Sequence, residues 1–189
     1  ISENIYPVDN GIFFYTPKVD DTSADYEIVN ELANATDKNS LVSVTNVIFD
    51  NSGKLVGEAI SQTTIMAHSS KQVTNSGTIQ TPKLWSPENP NLYTVKTYIS
   101  YQKSYQVHEM KVGIRSFRFH PDRGFFLNGT PYLFKGVCLH HDAGCLGAAV
   151  PYEVWCRRLI KLKKMGCNAI RMSHNPHMPE LYTLCDVLG

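Results

Sequence analysis

The chain has 189 residues, 42% of them apolar, and its 18 basic and 17 acidic side chains leave a formal net charge of +1. That is enough apolar material for one large or two small cores, which excludes disorder as the main state. The near balance of charge excludes a long-range field that would recruit nucleic acid or an anionic membrane surface, and no stretch approaches the roughly 20 apolar residues of a bilayer span.

The first residues lack the charged-then-apolar layout of a signal peptide, the chain starts without Met, and it ends on Val187, Leu188 and Gly189. Both ends are therefore read as cut or processed boundaries. The compartment stays open, whether cytoplasmic, periplasmic or secreted, and so does the oligomeric state.

Up to about residue 112, short β-branched and aromatic runs alternate with turn clusters, the signal of an antiparallel sandwich. Residues 11–15, 26–29, 41–44, 62–65 and 93–101 are the clearest strands. Residues 34–37 and 50–53 are turns, because Asn, Asp and Gly tolerate the left-handed backbone of a tight hairpin. The strand spacing fits an immunoglobulin-like sandwich of about seven strands. The hydroxyl-rich tract 68–81 reads as loop and edge strand, His68 and His108 as surface or strand-edge residues, and Trp85, Pro87, Pro90 and Tyr93 as a packed corner of the sandwich. The first domain is thus 1–112 and the second 113–189.

After Gly113 the pattern changes. Residues 117–119 and 125–127 flank a hairpin turn at 120–124, and Asn128-Gly129 makes a second turn of type I′ chemistry. Residues 132–138 read as a strand buried on both faces, of the kind parallel sheets use. A helix starts at Pro151, with Glu153 at the positive end of its dipole, Trp155, Leu159 and Leu162 as its apolar stripe, and Gly166 as its C-terminal cap. Residues 168–172 form a second strand and 178–188 a second helix. This βαβα order implies helices packed on a parallel sheet. Five cysteines, all in the second half, match neither a metal knuckle nor a disulfide framework and read as buried free thiols, with a Cys138–Cys145 pair left open.

In a barrel of parallel strands, working residues lie at the C-terminal strand ends and in the loops beyond them. Two such places are polar here: His140, His141 and Asp142 after the first strand, and residues 171–177 after the second. Arg171 at the end of a buried strand requires an acidic partner, since an unpaired buried charge loses solvation that nothing replaces. His174 offers a donor and an acceptor, the inventory that holds sugar hydroxyls. A metal site from His140, His141, His174 and His177 is conceivable, but no ligand motif such as His-Glu-x-x-His supports one, and none is assigned. His177, which follows a Pro, reads as structural.

These residues resemble glycoside hydrolase family 2, in particular its β-galactosidases. The pieces that carry the resemblance are Leu-Trp-Ser-Pro-Glu-Asn-Pro-Asn-Leu-Tyr at 84–93, Gly-Ile-Arg at 113–115, Phe-Leu-Asn-Gly at 126–129, Gly-Val-Cys-Leu-His-His-Asp at 136–142 and Ile-Arg-Met-Ser-His-Asn-Pro at 170–176, extending to Leu-Tyr-Thr-Leu-Cys-Asp at 181–186. The resemblance implies a sandwich followed by the incomplete start of a (β/α)8 TIM barrel. It implies a fragment of a retaining glycosidase that hydrolyses terminal β-galactosides, in which one Glu acts as acid and base and a second as nucleophile, both beyond residue 189, so that the chain by itself is inactive. By motif, Arg171 matches the arginine beside the nucleophile, His174 and His140 match histidines that contact sugar hydroxyls, and Asp142 is a further contact. Where the family often has Asn and then Arg or Asn, this chain has Cys138 and Leu139. Asn30-Glu31, the one Asn-Glu pair, is a decoy upstream of the barrel. No cofactor is assigned to this chain, and a divalent cation in the parent is left open. The same fold with another sugar, β-glucuronidase or β-mannosidase, is the first alternative. A non-catalytic carbohydrate-binding sandwich module is the alternative of another class, to be distinguished by whether 113–189 form barrel units or extra sandwich strands.

Overall fold

The computed structural model describes residues 4–189. The chain divides into two units, one holding the stretch that ends at Lys83 together with Leu92–Ser116, the other Leu84–Asn91 with Phe117–Gly189.

The first unit is a seven-stranded sandwich, as the sequence implies. β1 (Ile5–Val19), β2 (Ser23–Asn34) and β5 (Ser69–Gln80) form one antiparallel sheet in the order β1-β2-β5. β3 (Ser40–Phe49), β4 (Leu55–Ile65), β6 (Tyr93–Tyr101) and β7 (Ser104–Val112) form the other in the order β4-β3-β6-β7. In β2 every second residue is buried, from Ala24 to Asn34, and its neighbours are half-buried, the period-two signature of a strand with one face inward. Ile5, Leu32, Val42, Val44, Ile65 and Ile99 make one core cluster. The tract 68–81 is edge strand β5, as expected, and His108 lies on edge strand β7. His68 is exposed and pairs with Asp37 at 2.8 Å.

Four polar side chains sit inside this core. Asn30 and Asn75 come from one sheet, Asn46 and Thr97 from the other, and all are at most 4% exposed. Asn46 Oδ1 accepts from Asn30 Nδ2 at 3.1 Å and from Asn75 Nδ2 at 2.7 Å, while its Nδ2 donates to Asn30 Oδ1 at 3.2 Å and Thr97 Oγ1 at 2.7 Å. Asn30 therefore joins the two sheets, which is consistent with reading the Asn30-Glu31 pair as a decoy.

The β1–β2 turn is closed by Asp20, whose Oδ1 accepts from Thr22 Oγ1 at 2.6 Å and from the backbone N–H groups of Thr22 and Ser23, each at 2.9 Å. The Thr22 hydroxyl, then these backbone donors, hold the carboxyl down at about 2, against an ordinary value of 3.8. Because the folded value lies below the unfolded one, this turn's contribution is fully present above about pH 4 and is lost as pH falls toward 2. An Asp20→Asn variant is expected to show a shallower loss of thermal stability between pH 4 and 2 than the parent, measured by circular dichroism melts.

In the second unit, β8 (Phe117–His120), β9 (Gly124–Leu127) and β10 (Thr130–Pro131) form a small antiparallel sheet. Asn128 and Gly129 turn it with φ of 49° and 77°, the left-handed pair that a type I′ hairpin needs. β11 (Gly136–Leu139) then pairs in parallel with β12 (Ala169–Met172), with α1 (Tyr152–Lys164) between them and α2 (Pro179–Leu188) after them. This βαβα order makes 136–188 barrel-type units rather than further sandwich strands, and 117–131 form a small sheet apart from both sandwich sheets. Pro151 caps α1, Glu153 lies in its first turn, and Gly166 closes it with a φ of +91° while Cys167 N–H returns to Leu162 O at 3.1 Å. Trp155 and Leu159 bury the stripe against Leu139, Val150, Leu181 and Leu184.

Three expectations are corrected, the first being that the free thiols are buried: Cys138 and Cys145 are exposed, and Cys156, Cys167 and Cys185 are half-buried. The strand expected over 132–138 covers only Gly136–Leu139, with Leu133 73% and Phe134 51% exposed. A strand buried on both faces needs a layer packed on each of them, and Leu133 and Phe134 lie outside the β11–β12 ladder. Tyr132 and Phe134 instead pack beside Phe125, with ring centroids 6.5 and 4.4 Å away. Trp85 and Pro87, expected at a sandwich corner, belong to the second unit. Trp85 Nε1 donates to Asp186 O at 2.8 Å and Lys163 Nζ to Pro87 O at 2.7 Å. Tyr93 does start a sandwich strand, and its buried hydroxyl accepts from Lys83 N–H at 2.8 Å.

Candidate active site

The parallel register sets the site. Cys138 lies opposite Arg171 and Leu139 opposite Met172, so the chain leaves both strands at the same level, and Ser173 N–H still donates to Leu139 O at 2.8 Å. His140, the first residue after β11, and His174, the second after β12, meet with ring centroids 5.5 Å apart and planes at 77°. The Ser173–His174 peptide is cis. Both imidazoles are exposed, so their nitrogens can exchange hydrogen bonds with a bound hydroxylated ligand.

Arg171 corrects a further expectation. It is exposed rather than buried, its Nη1 donates to Ser173 Oγ at 3.0 Å and lies 4.0 Å from Cys138 Sγ, and no ion pair involves it among the described residues. With the guanidinium open to solvent in this chain, its charge keeps its solvation. Ser173, 1% exposed, orients it instead. The sequence reasoning missed Ser173. The signal was its i+2 spacing from Arg171, which aligns side chains on one side of an extended segment.

Asp142 is exposed, and its backbone carbonyl accepts from Arg158 Nη1 at 2.8 Å, which ties this loop to α1. The Arg158 guanidinium also lies 4.8 Å from the Trp155 ring centroid. The structure thus brings His140, Arg171 and His174 to one strand end, with Asp142 in the loop that follows His140. His177 is buried. Its N–H donates to Tyr182 Oη at 3.2 Å, and its ring packs 6.0 Å from Trp155.

Among the described residues no group of three or more His, Cys, Asp or Glu side chains is arranged to hold a metal ion. The site offers two imidazoles and a guanidinium held by Ser173, with Asp142 in the loop that follows His140. That set can bind and orient a polyhydroxyl ligand and stabilise a negative charge beside Arg171.

Residues 10–115 match the family model of the glycosyl hydrolases of family 2, and residues 121–189 match the TIM barrel domain of the same family. A β-galactosidase of Bacteroides ovatus is 39% identical over 180 residues, which is 95% of this chain and 21% of that protein. A putative β-glucuronidase of Formosa agariphila is 40% identical over 130 residues, 66% of this chain and 13% of that protein. Among solved structures, a β-glucuronidase of Bacteroides uniformis superposes with a TM-score of 0.89 at 32% identity, covering 98% of this chain and 23% of that one. The chain spans about a fifth of the length of such relatives.

Proposed function

The chain belongs to the glycosyl hydrolases of family 2, and from that premise we propose that it forms the sandwich and first barrel units of a retaining β-galactosidase. The observation that carries this reading is the meeting of His140 and His174, 5.5 Å apart, at two adjacent strand ends, with Arg171 fixed beside them by Ser173. The two imidazoles hold sugar hydroxyls. Arg171 is placed to keep the attacking carboxylate of a later strand ionised, and Asp142 adds a further sugar contact.

In retaining hydrolysis one carboxylic acid protonates the leaving oxygen while a carboxylate about 5–5.5 Å away attacks the anomeric carbon. Both groups are assigned to strands that follow β12 in the longer enzyme. The Asn30-Glu31 pair is set aside, since Asn30 is 0% exposed in the sandwich core. Galactose is favoured as the sugar by the Bacteroides ovatus relative, which aligns over 95% of the chain. A β-glucuronidase is the second reading, favoured by the likeness to the Bacteroides uniformis enzyme at a TM-score of 0.89.

The test is a panel of aryl β-glycosides given to an enzyme of the relatives' length that carries this chain. We expect the galactoside to be cleaved with the highest kcat/KM, and a preference for the glucuronide would replace galactose by glucuronic acid. Given the same panel, residues 1–189 by themselves are expected to release no nitrophenol above a heat-treated control. Turnover by that segment would sink the assignment of both carboxylates to later strands.

A further inference from the structure

The small sheet of β8, β9 and β10 has two unlike faces. Phe119 pairs with Phe125 and Arg118 with Phe126 in the ladder, so alternation turns Phe117, Phe119 and Phe125 to one side and Arg118 and Phe126 to the other. On the Arg118 side, the exposed guanidinium groups of Arg118 and Arg123 lie 5.0 and 5.5 Å from the Phe126 ring centroid, an arrangement that suits water. The other side is aromatic. Phe119, Phe125 and Phe134 stand in a row with ring centroids 5.0 and 4.4 Å apart, and Phe117 extends it at 6.5 Å from Phe119. Three of these rings are open to solvent, Phe117 at 66%, Phe119 at 70% and Phe134 at 51%. A contiguous apolar face of this kind marks a contact surface.

Its place in the fold says what it contacts. Asn168 holds residues 133–135 beside the start of β12. Its N–H donates to Lys135 O at 2.9 Å, its Oδ1 accepts from Lys135 N–H at 2.7 Å and its Nδ2 donates to Leu133 O at 2.9 Å. Phe134 is thereby fixed just before the first residues of both parallel strands, Gly136 and Ala169. Val137, Leu139, Ile170 and Met172 pack toward α1 and α2, so the alternate residues Gly136, Cys138, Ala169 and Arg171 face the barrel's interior. In a closed barrel that interior is filled by layers of mostly bulky side chains. Here the layer at the strand starts is Gly136 opposite Ala169, and a Cβ at Gly136 would stand 2.9 Å from Ala169 O. These two strands therefore give that layer no more than one methyl group, and the aromatic row lies at the same end.

We infer that the aromatic face of β8–β10 plugs the strand-start mouth of the barrel and is covered by the first residues of the later barrel strands. Each helix of a parallel βα series returns the chain to the strand-start end, as α1 does between Leu139 and Ala169, so every later strand begins beside these rings. Two of the eight strands lie within 136–172, in a chain that spans about a fifth of its relatives' length. The plug sits at the end opposite His140 and His174, and the inference is independent of which sugar is cleaved.

The test is hydroxyl-radical footprinting of an enzyme of the relatives' length that carries this chain. The oxidation rate of each ring is read by mass spectrometry against the same residue in a proteolytic digest. Under the plug, Phe117, Phe119 and Phe134 are expected to react at about a tenth of the digest rate or less, since a covered ring reacts only when the structure opens locally. Relative rates near the 51–70% exposure that the three rings have in this chain would leave the face open and overturn the inference. Phe119→Asp separates the plug from a second copy of the chain as the cover. A carboxylate forced into the mouth is expected to lower the urea midpoint at unchanged oligomeric state. Dissociation into folded single chains, or a midpoint equal to the parent's, would overturn the plug. If Phe119→Asp does not fold, Phe119→Ser takes its place. None of these results bears on the glycosidase reading, which the aryl glycoside panel decides.

Discussion

Replacing His174 by Phe in an enzyme of the relatives' length is expected to lower kcat/KM for an aryl β-galactoside by about 5- to 150-fold. Phe fills the ring's volume and removes both nitrogens. A sugar hydroxyl that loses its partner in a desolvated site costs about 1–3 kcal/mol, and sites built to bind a hydroxyl discriminate more strongly than sites that exclude one. The His140 ring 5.5 Å away loses its neighbour as well, so the effect of a double His140→Phe, His174→Phe variant should fall short of the product of the two single effects. If the contact tightens in the transition state, kcat falls together with kcat/KM. If it serves ground state and transition state alike, KM rises alone. His108→Phe, on sandwich edge strand β7, is the control and should leave kcat/KM within about twofold. A His174→Phe enzyme that melts like the parent and keeps full kcat/KM would remove His174 from the sugar site.

The second large effect lies in the sandwich. Asn46→Leu preserves volume but removes the centre of four hydrogen bonds among Asn30, Asn75 and Thr97. Each buried polar group left unpaired costs about 1–3 kcal/mol. Asn75 keeps its bonds to Val44 O and Ala59 O, and Asn30 keeps Ile28 O, which limits the total to about 2–4 kcal/mol. Against a typical domain stability of about 5–15 kcal/mol this is a large fraction, read as a fall in the urea midpoint at unchanged slope. Replacing all four residues by apolar ones of similar shape should restore much of the loss, because the penalty comes from stranding partners rather than from the network's net worth. A single Asn46→Leu variant as stable as the parent would show that water reaches this core.

The signal for that network was in the sequence. Asn30 and Asn34 share the parity of Ile28 and Leu32 in β2, so period two alone assigns them to the inward face. What period two cannot reveal is which strand lies across the core, and the partners Asn46 and Thr97 come from the other sheet. The seven strands and the βαβα order were legible because alternation and helix punctuation are local. The candidate site residues were picked from strand ends: His140 and His174 lie just beyond β11 and β12, Arg171 lies within β12, and the parallel register brings those ends level. Residues 132–135 misled because a short apolar run reads the same whether a second neighbour covers it or not. Trp85 misled because its partner, Asp186 O, is 101 positions away. Arg171 was assigned burial by strand position, whereas exposure depends on what stands beside the strand end.

The central claim, a retaining β-galactosidase of family 2, is tested most directly by the stereochemistry of its first product. A proton NMR time course of β-galactoside hydrolysis by an enzyme of the relatives' length carrying this chain should show the β anomer of galactose first, with the α anomer growing only as fast as mutarotation. The α anomer appearing first would contradict a double-displacement site, and no galactose release while another β-glycoside is cleaved would contradict the sugar.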